Sequence, residues 1–168
     1  MGRARRQPRF NPYAILEALE RERVTYILIG GLARVIEGSD ELTRGVDLTP
    51  STRPENLRRL GVALGSLDAR PRDGRTLSLA GMDRTPLLAL KSDHGEINVV
   101  PIPEGTRGYD DLRRAVRREP IGRGLRVPVA SPGDLVRMLS ALGREQDALR
   151  IETMQRVVER DRGLTWER

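Results

Sequence analysis

The sequence predicts an α/β chain, or α+β in its less regular form: a mixed sheet flanked by helices, with a helical C-terminal part. Three observations carry this. Short apolar runs of strand length, "VTYILI" (24–29) and "GEINVV" (95–100 with its leading Gly95), are separated by segments of helical period. A Gly-Gly pair stands directly between the first run and the next helix, a strand-to-helix corner. From Ser131 onward the chain reads as helices alone.

Each element has a local reason. "NPYAILEALERERV" is a helix with Asn11 as cap, Pro12 in its first position and Ile15, Leu16 and Leu19 as the buried stripe. "VTYILI" follows as a buried strand, and "GGLARVIEG" opens a short helix behind the glycines. Residues 45–48 form a second strand, ended by "TPSTRP", where Thr52 or Ser51 can cap a helix with Pro54 near its start. That helix carries Leu57, Leu60, Val62 and Leu64. "ARPRDGRTLSLAG" predicts a hairpin around Asp73-Gly74 with "TLSLA" as a strand. Residues 86–90 and 95–100 give two further strands, and "YDDLRRAVRR" a short basic helix. "GLRVPVA" is a strand weakened by Pro128, which places it at a sheet edge. "SPGDLVRMLSAL" follows a capping pattern with Ser131 and Asp134, and "REQDALRIETMQRVVERD" continues as a second helix.

With 168 residues the chain fits one domain able to bury a core. The expected organisation is a basic arm over 1–10, an α/β core over 11–130 and a helical part over 131–168. Absence of cysteine excludes disulfides and thiolate metal sites and fits a reducing compartment. Nothing approaches the ~18 consecutive apolar residues of a membrane span, so a cytoplasmic protein without a membrane partner is expected. Aromatic content of 3% argues against base-stacking platforms. Net charge is +6, almost all of the cations are arginine, and Lys91 is the only lysine. A solvated arginine-rich surface accounts for this, and so does a polyanionic partner, because arginine forks phosphate. Arg3, Arg5, Arg6 and Arg9 in the arm and the "RRAVRR" segment (113–118) are the places to look.

The stretch "IGGLARVIEGSDELTRGVDL" (29–48) carries the chemistry. Two glycines after a buried strand let the backbone approach a ligand, and the helix start behind them offers free N–H groups to phosphate oxygens. In the next strand, positions 45 and 47 share a face while Val46 and Leu48 share the other. Paired carboxylates there would hold Mg²⁺ beside a triphosphate; Asp47 is present and Gly45 takes the other place. An Asx-type turn with "LTPST" is the structural alternative for Asp47. Glu96 and Asn98 share one face of "GEINVV", so if the two strands are neighbours, Asp47, Glu96 and Asn98 converge on one cleft. Lys91 could meet a triphosphate as a point charge. His94, the single histidine, cannot form a cluster, and Ser39 has no adjacent base.

These pieces, in this order, resemble the nucleotidyltransferase superfamily, and within it the small bacterial toxin–antitoxin nucleotidyltransferases of the AbiEii and MenT-like kind. Ile29-Gly30-Gly31 is followed, after thirteen residues, by Gly45-Val46-Asp47-Leu48 and later by Ile97-Asn98-Val99. "RPENLRRLGVAL" and "VASPGDLVRMLSALGREQDAL" extend the likeness over residues 12–150. The resemblance implies transfer of a nucleoside monophosphate from an NTP to RNA, the 3′ end of tRNA in particular, with Mg²⁺ and with a cognate antitoxin as partner. Carried over residue by residue, Gly30 and Gly31 match the phosphate-cradling turn, and Asp47 the second metal carboxylate. Gly45 and Asn98 replace the first and third. Leu139 stands where the family tends to carry a lysine, with Arg137 nearby, and Asp147 matches an aspartate beyond it. The implied catalytic set is therefore Asp47 and Asp147, with Gly30, Gly31 and Lys91 at the nucleotide and Asp47, Glu96 and Asn98 around the metal. A relative that keeps the fold and binds RNA or protein without the reaction is the alternative.

Overall fold

The computed structural model describes residues 9–166; Arg3, Arg5 and Arg6 of the expected arm lie outside the described residues. Helix α1 runs over Pro12–Arg21, with the Asn11 carboxamide oxygen accepting from the Ala14 N–H at 3.3 Å. Strand β1 is Tyr26–Ile29 and helix α2 is Gly30–Ile36, with no residue between them. Then come β2 (Gly45–Pro50), α3 (Pro54–Ser66), β3 (Arg70–Pro71), β4 (Leu88–Ser92), β5 (Gly95–Val99) and a single turn α4 (Tyr109–Leu112). The chain closes with β6 (Arg117–Gly122), β7 (Leu125–Val129), α5 (Pro132–Leu142) and α6 (Ala148–Trp166).

The seven strands form one mixed sheet in the order β3-β4-β5-β2-β1-β7-β6. β2 runs antiparallel to β1 and parallel to β5, so the strands carrying Asp47 and Asn98 are direct neighbours. Register decides the two faces. Val46, Leu48, Leu90, Ile97 and Val99 are fully buried in the core, whereas Gly45, Asp47, Glu96, Asn98 and Lys91 occupy the other face. Buried Asn56 on α3 ties this frame together: its amide accepts from the Thr25 N–H at 2.7 Å and donates to the carbonyls of Thr25 and Ser51. That satisfies the Thr25 N–H and the Ser51 carbonyl at the ends of β1 and β2, and adds a second donor to the Thr25 carbonyl, which also accepts from the Ser51 N–H at 3.1 Å. No helix among the described residues is long and apolar enough to cross a membrane.

Several local expectations change. Residues 76–80 form no strand. The slot beside β4 is taken by Arg70–Pro71 and by the Arg72 N–H donating to the Ala89 carbonyl at 3.0 Å. Leu77 and Leu79 therefore reach the core from a loop. The basic helix stops at Leu112, and Val116 turns extended into β6, whose alternating exposure is a strand pattern. β6 covers β7, so Pro128 is not in an edge strand. Its missing N–H coincides with a β1–β7 ladder reduced to one registered pair, Leu28↔Val129. Neither Ser51 nor Thr52 caps α3: the N-cap is Arg53, without a side-chain bond, and Val62 is exposed. Ser131 does cap α5, accepting from the Asp134 N–H at 3.1 Å.

At the C-terminal end of α2, Glu37 is buried and one of its carboxylate oxygens has no hydrogen-bond partner among the described residues. Arg117 stands 3.7 Å away and also binds Asp161 of α6 at 2.9 Å. Burial, then Glu119 and Asp161, push the Glu37 carboxyl up to about 7, against the pull of Arg117 and Arg160. The folded chain thus retains a proton that the unfolded chain gives up in the ordinary carboxylate range. Stability from Glu37 is present at low pH and is lost as pH rises toward about 7. Glu37→Gln is expected to raise the Tm by a few degrees at mildly alkaline pH and to leave it nearly unchanged near pH ~4, measured by thermal unfolding. Equal effects at both pH values would contradict the assignment.

Candidate active site

The corner between β1 and α2 places its glycine against the carboxylate of Asp47. Gly30 has a φ of +73°, which side chains rarely adopt, and a Cβ there would collide with Asp47 Oδ2. Gly31 is crowded more gently: its Cβ would lie 3.3 Å from Thr43 Oγ1 and 3.5 Å from Glu41 Oε1. The segment leading into β2 folds back over the corner, and Thr43 Oγ1 donates to the Gly45 carbonyl at 3.2 Å. Gly30 is needed for close approach to the strand that carries Asp47, whereas a side chain at 31 would ask only the Thr43 side chain to give by a few tenths of an ångström.

Asp47 is partly buried and its Oδ1 accepts from the Asn98 amide at 2.8 Å, as direct register between β2 and β5 requires. It forms no ion pair among the described residues. Burial raises its carboxyl above the ordinary range, while the Asn98 hydrogen bond and the guanidiniums of Arg34 and Arg72 pull it back. Glu96 lies on the same face but is half exposed and paired with Arg72. Gly45, opposite Glu96, has no room for a side chain: a Cβ would meet Glu96 Cβ at 2.8 Å and its backbone carbonyl still closer. The missing first carboxylate is therefore built into the β2–β5 spacing.

Among the described residues no group of three or more His, Asp or Glu side chains is placed to hold a metal ion. What the site offers a cation is one desolvated carboxylate that forms no direct ion pair among the described residues, with Arg34 and Arg72 nearby. That fits Mg²⁺ entering on substrate phosphates, since Mg²⁺ takes one or two protein carboxylates and draws its remaining ligands from phosphate and water. It does not fit a pair of resident ions.

The other candidate residues fall further out. Lys91 is exposed on β4 opposite Glu96, two strands from Asp47 and on its face. Asp147 is fully buried, held by Arg144 at 2.7 Å and Arg150 at 2.9 Å, and these bonds keep its carboxyl below the usual range. It meets the glycine corner only through a chain of charges: Arg150 reaches Glu41 at 3.5 Å, and Arg34 forks Glu41 with bonds of 2.7 and 2.9 Å. Leu139 is buried, and Arg137 is spent on Asp111 and Asp134, each at 3.1 Å. His94 contributes its carbonyl to the Asn11 N–H, and Ser39 donates to Glu41. Sequence reading missed Arg34, Glu41, Thr43 and Arg72. Arg34, one turn beyond Gly30 on a helix opened by the glycines, is the one the spacing could have flagged.

The chain shares its fold with solved nucleotidyltransferases. The lincosamide antibiotic adenylyltransferase LnuA, solved with lincomycin bound, superposes with a TM-score of 0.61 at 16% identity, over 87% of this chain and 95% of that one. The antibiotic-resistance factor ANT(2'')-Ia gives 0.59 at 14% identity, over 87% and 80%. A Thermotoga maritima protein assigned as a nucleotidyltransferase gives 0.55 at 18% identity, over 87% and 89%. No family profile and no curated protein matches the sequence.

Asn98→Asp tests the electrostatics directly. A second carboxylate beside Asp47 removes the amide donor and adds like charge, so the variant should lose about 1–3 kcal/mol of stability in chelator. Millimolar Mg²⁺ should restore part of that loss in the variant and do little for the parent chain, read as Tm with and without the ion. An Asn98→Asp chain as stable as the parent in chelator would contradict the packing described.

Proposed function

We propose that the chain is a nucleotidyltransferase that binds an NTP at the Gly30–Gly31 corner and passes its nucleoside monophosphate to an acceptor hydroxyl, releasing pyrophosphate. One observation carries this reading: the strand-end glycine with left-handed φ is packed onto the carboxylate of Asp47. This contact brings the start of α2 next to the Asp47 carboxylate, which burial desolvates.

In this reading the N–H groups of the corner receive phosphate oxygens, and the lack of side chains at 30 and 31 lets them approach. Asn98 orients the Asp47 carboxylate, and Arg34 and Arg72, paired with Glu41 and Glu96, stand near it. Asp47 is the protein ligand for Mg²⁺, with Glu96 adding a second oxygen if Arg72 releases it; Asn98 lends a neutral neighbour. When bound, Mg²⁺ supplies charge neutralisation on the phosphates. Asp147 acts by holding α6 against the Glu41–Arg34 pair and so shaping the corner.

The acceptor follows from charge. Tobramycin, which ANT(2'')-Ia holds as an adenylyl adduct, is a polycation. Here Arg34 is held by Glu41 and Arg72 by Glu96, which leaves Lys91 as the cation of that face without an ion pair among the described residues. An RNA acceptor, the 3′ end of tRNA in the implied case, matches the overall charge of +6. A cytoplasmic toxin held in check by an antitoxin is the setting that the resemblance of the sequence motifs implies.

A second reading is favoured by Gly45. The closed β2–β5 spacing leaves no place for a first carboxylate, so the chain would bind nucleotide or RNA without transfer. Incubation with labelled NTPs, Mg²⁺ and total tRNA separates the two. The transferase reading expects label on RNA, reduced at least ~100-fold by Asp47→Ala, the scale of losing one electrostatic stabiliser. Salt-sensitive RNA binding without label from any NTP would replace it with the binding reading.

A further inference from the structure

Helix α6 lies along the connection between α2 and β2, and three contacts set its register. Arg150 reaches Glu41 at 3.5 Å, a Cβ at Gly38 would lie 3.8 Å from Val157 Cγ2, and Asp161 shares Arg117 with Glu37. Positions 150, 157 and 161, spaced by seven and four, fall on one face of the helix. Their partners descend from 41 through 38 to 37 as the helix ascends, so the seam is antiparallel. It covers the same connection whose Glu41 and Thr43 lie against Gly31. The start of α6 is firmly anchored: Asp147 is fully buried between Arg144 and Arg150, and Met154 is fully buried in the core. Past Met154, Val157 is the only buried side chain of α6 among the described residues, and the pairing of Asp161 with Arg117 adds a second hold.

At that end Glu37 meets Arg117 and Glu119 from β6 and Arg160 and Asp161 from α6, while Arg34 of its own helix is forked on Glu41. Arg117, from the "RRAVRR" segment, is 2.9 Å from Asp161 and 3.7 Å from Glu37, so Asp161 has the better claim on it. With Glu37 protonated, two acids face two arginines. Ionised, Glu37 adds an unmatched charge inside a contact that leaves one of its oxygens without a hydrogen-bond partner among the described residues. α2 is set between β1 and β2, and β6 is paired along β7, so the element least tied down is the second half of α6. We propose that this half-helix is a latch on the α2–β2 connection, closed while Glu37 is uncharged and released when Glu37 ionises. Opening lets water reach Glu37 and leaves residues 37–41 without their cover, whatever the glycine corner binds.

Hydrogen exchange of the full chain, read by mass spectrometry at pH ~5.5 and ~8.5 and corrected for intrinsic exchange, tests this on either side of the Glu37 titration at about 7. In the parent chain residues 157–163 and 37–41 are expected to exchange at least ~10-fold faster at the higher pH, while α5 keeps its protection. Glu37→Gln should hold both segments closed at both pH values. Glu119→Gln, which removes a like charge at a half-buried position, should shrink the pH difference without altering the buried group itself. Equal protection of 157–163 at the two pH values in the parent, a difference that survives either substitution unreduced, or loss of protection in α5 to the same extent overturns the proposal.

Discussion

Everything in this molecule that bears on chemistry depends on one close approach, Gly30 against the carboxylate of Asp47. The space a side chain at position 30 would fill is already taken by Asp47, and the positive φ at Gly30 is what allows β1 to turn into α2 without a linking residue. β2 must then lie antiparallel beside β1 with Asp47 opposite Ile29, which in turn fixes Asn98 on β5 as the carboxylate's partner. One steric fact thus links the turn, the register of three strands and the electrostatics of the only acid at their centre.

The same approach explains what the site lacks. With Gly45 pressed on Glu96 and Asn98 in place of an acid, the face carries less negative charge than two bound divalent ions require. The surrounding charge is arginine paired with acid: Arg34 with Glu41 and Arg72 with Glu96 near Asp47, and Arg150 and Arg144 with Asp147. The distant likeness to LnuA and ANT(2'')-Ia gives the fold.

Much of the core was legible because single residues carry strong local signals. Asn11-Pro12, the glycine pair, Ser131-Pro132 and the alternation in "GVDL" and "GEINVV" each reflect a short-range constraint, and the elements stand where those signals lie. What was not legible is set at long range. "TLSLA" alternates like a strand, but Arg70–Pro71 occupies the edge it would need. Pro128 argues for an edge until β6, hidden in a run that reads as a basic helix, covers it. In the site, the Asp47–Asn98 contact followed from strand parity once the strands were neighbours. Commitment of Glu96 to Arg72 and of Asp147 to Arg144 and Arg150 did not, because ion pairs between arginine-rich segments carry no fixed spacing.

The most direct measurement is paramagnetic broadening of backbone amide resonances by substoichiometric Mn²⁺, with and without an NTP analogue. The account predicts weak effects from Mn²⁺ alone. With the nucleotide present it predicts strong, local loss of the Gly30, Gly31, Asp47 and Asn98 signals, abolished in Asp47→Ala. Broadening elsewhere on the chain, or none at these four positions when nucleotide and ion are both present, would contradict it.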